Sequence, residues 1–293
     1  MLLAMGVSIV TGSPDNAMPV FSQVAGAGGG VAETESTNLL AGIVSVLVLT
    51  PFFYAGFDTI PQQAEEAAEG LNWNKFGKII TLALLAAGGF YMVCIYSFGT
   101  ILPWNEFVAQ PVPALACLKN INMILYVAML VIATLGPMGP MNSFYGATSR
   151  IMLAMGRKGQ LPEKFAEVDE KSGAPKLACV VLGIITVIGP FLGKNMLIPL
   201  TNVSALAFIL SCTMVALACL KMRYTEPDLP RPYKVPGGKF GILLAILAGA
   251  IIIGLLVLPF SPASLNMVEW SIVLGWLVVG LILMFATKAR AKK

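Results

Sequence analysis

Long apolar runs separated by short polar connections make up most of the chain. Seven stretches carry no charge: 39–57, 79–101, 121–149, 177–193, 195–220, 240–260 and 270–287. None alternates apolar and polar residues with the period of two that a membrane-barrel strand requires. Their Leu, Ala, Ile, Val and Gly content suits helices, which satisfy every backbone group within the segment. About 20 apolar residues suffice to cross a bilayer. With their flanks, the predicted spans run near 39–68, 77–101, 121–149, 177–193, 195–220, 240–260 and 268–287, within one transmembrane domain over 1–293. The opening MLLAMGVSIVTG supplies only about a dozen apolar residues, too few to span. It lacks the basic flank of a signal peptide, so residues 1–12 read as the end of a truncated helix.

Composition agrees with this pattern. The chain is 57% hydrophobic and 12% charged, with a mean hydropathy of +0.82, whereas a soluble domain carries roughly 25% charge. There is no histidine, which removes the commonest metal ligand and the side chain best suited to proton transfer near neutral pH. The five cysteines are scattered without a C-x-x-C pair, so neither a disulfide framework nor a metal site is expected. The 15 methionines read as packing. The net charge of +4 implies no nucleic-acid partner, because its placement follows the membrane. When the loops are assigned alternately to the two faces, only Lys119 and Lys194 of the 19 basic residues fall on one of them. The positive-inside rule then puts the C-terminus in the cytoplasm and the Gly-rich loop 12–38 outside. Segment 102–120 also lies outside, with Trp104 as an interface anchor.

One stretch disturbs the pattern. PFFYAGFDTIPQQAEE, Pro51 to Glu66, begins inside an apolar run and ends on two carboxylates. No turn signal separates Leu39 from Ala68. A straight helix of about 30 residues would cover about 45 Å, more than the roughly 30 Å hydrocarbon core. Gly56 permits unusual backbone angles, and Pro61 both lacks a donor and crowds the carbonyl of Phe57. A break around Phe57 and Asp58 is therefore expected, and lipid tolerates one only where it lines a cavity. From spacing alone two readings stand. Asp58 is either an ordinary charge at the cytoplasmic interface or a buried functional carboxylate.

FFYAGFDTIPQQAEE resembles the sixth helix of the amino acid–polyamine–organocation permeases. NSFYGATSRIMLAMGRKGQLP, Asn142 to Pro162, is similar to the end of that family's eighth helix and the following loop. RPYKVPGG, Arg231 to Gly238, is similar to the signature before its eleventh helix. The resemblance implies an all-α membrane protein with the five-plus-five inverted-repeat transporter fold. Residues 1–12 would match the end of helix five, and the seven spans helices six to twelve. The chain would thus hold the second repeat and two appended helices, with the N-terminal repeat, including the broken first helix, largely missing.

The resemblance also implies roles for particular residues. Phe52, Phe53, Tyr54, Ala55, Gly56 and Phe57 would meet the substrate, largely through backbone groups, with the aromatic rings closing over it. Asp58 would bind a proton or orient the unwound backbone. Glu65 and Glu66 match the family's acidic pair near the cytoplasmic end, as gating or coupling groups or as partners of basic loop residues. Ser143 lies in GPMGPMNS, where Pro137 and Pro140 leave the carbonyls of Ala133 and Gly136 without their usual donors. That element reads either as a cation site or as a proline kink. Thr201 and Asn202, with Ser204, would line the pathway or bond between helices. Arg150 and Arg157 would contact a gate or simply set topology.

The implied function is secondary active transport of an amino acid or related amine by alternating access, coupled to a proton or sodium, in the cell membrane. No cofactor is implied, and no nucleotide-binding motif points to an ATP-driven pump. An intramembrane enzyme would need a nucleophile with its base, or a metal site, which the residues do not supply. The alternative is a truncated, non-transporting polytopic protein: a sensor, a scaffold or a nonfunctional fragment.

Overall fold

The structure is a computed structural model that describes residues 1–17, 39–62, 72–110, 112–171, 173–231 and 233–290. Among the described residues there is no β-strand. The helices are α1 (Leu2–Thr11), α2 (Leu39–Tyr54), α3 (Thr59–Gln62), α4 (Trp73–Gly99), α5 (Trp104–Ala109), α6 (Pro113–Ile121), α7 (Met123–Leu135), α8 (Met138–Arg157), α9 (Lys176–Ile188), α10 (Leu197–Thr225), α11 (Gly238–Val257) and α12 (Met267–Arg290). Among the described residues, five stretches are long and apolar enough to cross a membrane: Trp73–Gly99, Met123–Arg157, Leu197–Thr225, Gly238–Val257 and Met267–Phe285. Leu2–Thr11, Leu40–Tyr54 and Lys176–Leu192 are apolar but shorter.

Local chemistry sets several helix ends. The Asn72 side chain accepts from the Lys75 amide at 3.1 Å and starts α4. At α12, Asn266 Oδ1 accepts from the Glu269 amide at 2.9 Å, and Glu269 Oε2 accepts from the Asn266 amide at 2.7 Å. This reciprocal pair satisfies two orphan donors of the first turn and accounts for a carboxylate that is only 2% exposed. Arg231 ends α10. Its guanidinium donates to the carbonyls of Pro227 (2.8 Å), Leu229 (3.0 Å), Met222 (3.2 Å) and Glu226 (2.6 Å). The charged fork thus occupies carbonyls at a helix C-terminus, where cations are favoured. The Arg231-to-Gly238 motif is therefore a folding device at its first residue, while its Pro232 lies outside the described residues.

The chain divides into two compact units. The first comprises Met1–Ala55, Gly70–Leu135 and Leu200–Leu265. Its hydrophobic core joins α1, α4, α6 and α7 through Ala4, Met5, Phe98, Cys117, Leu118 and Met129. Cys117 and Leu118 have no exposed surface. Segment 102–120, expected to lie outside, holds α5 and most of the amphipathic α6, whose Cys117 and Leu118 join this core. Elsewhere in the unit α2 packs on α11. α10 and α11 approach closely enough that a Cβ on Gly249 would stand 2.1 Å from Thr213 Oγ1. Small residues at such crossings let membrane helices gain van der Waals contact.

The second unit comprises Gly56–Glu69, Gly136–Pro199 and Asn266–Lys293. Within it α8 packs against α3, α9 and the short turn Glu163–Ala166. The Tyr145 hydroxyl on α8 donates to the Cys179 carbonyl of α9. The expected span 121–149 is two helices, because α7 stops at Leu135 and α8 begins at Met138. Pro140 sits third in α8, where an amide has no intrahelical partner in any case. Met141 is the first to close the turn, its amide donating to the Pro137 carbonyl at 3.0 Å.

Burial pushes the Cys117 thiol up to about 11. Since the thiolate is the nucleophile, the folded protein should leave Cys117 unmodified by a maleimide at pH 7 and up to about pH 9. In denaturant all five cysteines should react. Peptide mass spectrometry reads the difference, and rapid labelling of Cys117 in the folded protein would contradict the α1–α4–α6–α7 core.

Candidate functional site

The apolar helix α2 stops at Tyr54, the chain turns through Ala55–Asp58, and α3 resumes at Thr59. Three features of the sequence end the helix here. Pro51 lies inside α2 and withholds the donor that Leu47 O would otherwise receive. Gly56 has φ +127°, a conformation essentially closed to residues with a Cβ. Asp58 then takes the amide that the helix has released, with Oδ1 accepting from Gly56 N at 2.9 Å. Its Oδ2 accepts from Gln62 Nε2 at 3.0 Å, one turn into α3.

The backbone around the turn tightens from the α pattern to spans of three residues. Ala55 N donates to Phe52 O at 3.1 Å, and Thr59 N donates to Gly56 O at 3.2 Å. The Thr59 hydroxyl donates to the same Gly56 carbonyl at 2.6 Å. Pro61, expected to contribute to the break together with Gly56, is third in α3, where its missing N–H is an orphan anyway. The rupture lies upstream of it, at Gly56, and Pro61 is merely compatible with the new start.

Within the first unit, the Tyr91 hydroxyl of α4 donates to the carbonyl of Phe53 at 3.0 Å. The Tyr54 and Tyr91 rings meet edge to face, 6.0 Å apart at 89°. Phe52 and Phe53 also meet edge to face at 6.0 Å, and Phe53 is 53% exposed. Within the second unit, Gly56 faces Phe144 of α8, whose Cζ would lie 3.9 Å from a Cβ at that position. There is room for a methyl group, so the demand for glycine at 56 is conformational.

The remaining predicted residues are distributed as follows. Thr201 and Asn202 are half-buried near the start of α10, in the first unit with Phe52–Ala55. Gly56, Phe57, Asp58, Ser143 and Arg150 belong to the second unit. Ser143 Oγ donates to Gly139 O at 3.3 Å along its own helix, and Arg150 is half-buried in α8. Glu65 and Glu66 lie outside the described residues. No group of three or more metal-ligating side chains occurs among the described residues. Pro51, Thr59, Gln62 and Tyr91 hold the segment but were not singled out from sequence. The first three carried a local signal, since Gln62 is four residues after Asp58. Tyr91 carried none, being 38 residues from its partner.

Five apolar stretches of membrane length, beside a shorter apolar helix broken at a glycine, are those of a multi-pass membrane protein. The particular family is shown by comparison. The amino acid permease family matches residues 2–284, and the chain belongs to it. The family is one of permeases, not enzymes. Among similar proteins is the branched-chain amino acid permease BcaP of Bacillus subtilis, 26% identical over 86% of this chain and 52% of the permease. The aspartate-proton symporter of the same organism is 30% identical over 55% of this chain and 28% of the symporter. The human cystine/glutamate transporter is 25% identical over 63% of this chain and 36% of the transporter. The chain spans about half the length, or less, of the curated relatives it matches.

Replacing Asp58 separates shape from charge. Asp58→Ala leaves the part-buried Gly56 amide without its acceptor, a loss of about 1–3 kcal/mol. Asp58→Asn keeps one carbonyl oxygen for that amide, and Gln62 can turn its own oxygen toward the new NH2 group. Thermal unfolding in detergent should therefore show a clear drop for Asp58→Ala and less than half of it for Asp58→Asn. Equal drops would mean that the negative charge, not the oxygen, holds the turn.

Proposed function

We propose that this chain forms part of a secondary active transporter for amino acids or related amines, working by alternating access around the unwound segment Phe52–Phe57. The supporting observation is the break at Gly56, set in an apolar helix of a permease-family chain and stabilised by a carboxylate two residues on. Broken helices of this kind build substrate sites in many transporters, because their released backbone groups are available to a ligand. Amides suit a carboxylate and carbonyls suit an ammonium, and every α-amino acid carries both.

The relatives' names specify branched-chain, acidic and cystine-type substrates. What these share is the α-carboxylate and α-ammonium, which is the part that bare backbone reads. Phe52, Phe53 and Tyr54 would cover the substrate, with Thr201 and Asn202 completing the pathway. Asp58, Ser143, Arg150, Glu65 and Glu66 would serve gating or coupling. A proton is the coupling ion favoured by the likeness to an aspartate-proton symporter, with sodium the alternative. The bias of basic residues toward one set of loops supports a cytoplasmic C-terminus, and the membrane in this reading is the cell membrane.

Uptake of a radiolabelled amino acid panel by cells expressing the protein tests the reading. At least one amino acid should accumulate. Gly56→Ala should lower that uptake by roughly tenfold or more, from backbone strain alone, at unchanged membrane abundance. In a pH series, Asp58→Asn should shift the profile if Asp58 carries the coupling proton. Protein that reaches the membrane but takes up nothing on the panel favours the non-transporting alternative. Orientation is checked separately: a green fluorescent protein fused after Lys293 should fluoresce, and alkaline phosphatase fused there should be inactive. Active phosphatase would invert the topology.

A further inference from the structure

At the start of α4 lies a cleft of about 710 Å³ that the amino acid site does not use. One wall is a single stripe of α4, including Lys78, Thr81, Leu82 and Leu85. Thr81 and Leu82 each stand three or four residues from both Lys78 and Leu85, so the four share a helix face. The other wall, from the segment between α10 and α11, includes Tyr233 and Lys234. No aspartate or glutamate is among the described lining residues.

The second wall is held firmly. Arg231 pins the chain just before it to carbonyls at the end of α10. The Tyr233 ring rests against α4 at Gly77, where a Cβ would come within 2.6 Å of it. The Tyr233 hydroxyl lies 3.5 Å from Thr81 Oγ1.

The depth of the cleft follows from the length of α4. Its 27 residues extend about 40 Å, longer than the roughly 30 Å hydrocarbon core. The charge-free run begins at Ile79. Lys78 therefore stands at headgroup level, while Leu82 and Leu85 lie one and two turns deeper. The stripe changes from cationic to hydroxylic to apolar along the bilayer normal, and a phospholipid changes from anionic to apolar in the same direction.

We propose that this cleft binds an anionic phospholipid. Its phosphate sits between Lys78 and Lys234, the Tyr233 hydroxyl supplies a further donor, and an acyl chain lies along Leu82 and Leu85, while the Thr81 hydroxyl stays bonded to the Gly77 carbonyl at 3.0 Å. A small soluble anion would need the lysines but would leave the leucines idle, which is why a lipid is the occupant. Basic pockets between membrane helices hold such headgroups. The proposal does not depend on the transport reading, since its readout is lipid retention.

The test is native mass spectrometry of the full chain released from nanodiscs containing equal phosphatidylglycerol and phosphatidylcholine. Phosphatidylglycerol should be retained preferentially. Each lysine near an anionic headgroup is worth roughly a fivefold change in affinity. Lys78→Gln and Lys234→Gln should therefore each lower the preference, and the double variant should abolish it. The Lys78→Arg/Lys234→Arg pair should keep it, and so should Lys158→Gln/Lys164→Gln, which removes the same charge from another basic loop. Circular dichroism confirms that each variant is folded, and the single variants serve if the double one is not. Three results would overturn the proposal: retention unaffected by the glutamine variants, equal loss from Lys158→Gln/Lys164→Gln, or displacement of the lipid by millimolar inorganic phosphate or glycerol phosphate.

Discussion

A main chain in hydrocarbon must satisfy its own polar groups, and everything distinctive about this protein follows from where it fails to do so as a simple helix. Lipid offers neither donors nor acceptors, so an interrupted helix needs substitutes from nearby residues. At Gly56 they are present within six residues. The Asp58 carboxylate takes an amide, the Thr59 hydroxyl covers a carbonyl, and Gln62 holds the carboxylate in place. Tyr91 covers the carbonyl of Phe53 from a different helix. The break is thus built to persist, and a persistent break is what a backbone-reading substrate site requires.

Proline has a consistent place in this arrangement. Pro61 and Pro140 are each third in the helix that follows an interruption, where a missing amide hydrogen is without consequence. The interruptions themselves fall before them, at Ala55–Asp58 and at Gly136–Pro137. The division of the chain into two units passes through the same places, between Ala55 and Gly56 and between Leu135 and Gly136. Pro51 acts differently. It weakens the last turn of α2 from inside, so that Gly56 ends a helix already short of one hydrogen bond.

Most of each span is not buried by this chain. Only 6% of the apolar window in Trp73–Gly99 is buried, and 17% of that in Leu197–Thr225. The helices are stable by virtue of their internal hydrogen bonds in a solvent that offers no alternative. Tight packing is reserved for particular crossings, such as Gly249 against Thr213 and the core under α6. The cleft beside Lys78 belongs to the same economy: it lies where a helix outruns the hydrocarbon and a pinned loop lies against it.

The sequence by itself determined the solvent, the helical class and the region of the break. Each of these depends on residues a few positions apart: about 20 apolar side chains in a row, or a glycine, a carboxylate and an amide spaced by two and four. The tertiary structure alone decided what meets at a distance. Nothing local announced that Tyr91 would cover Phe53, that Cys117 on α6 would be buried against α1, α4 and α7, or that Tyr233 would come to rest on Gly77. Those outcomes rest on contacts between segments far apart in the chain, and such contacts are selected by shape and by satisfied hydrogen bonds, which a one-dimensional pattern does not encode.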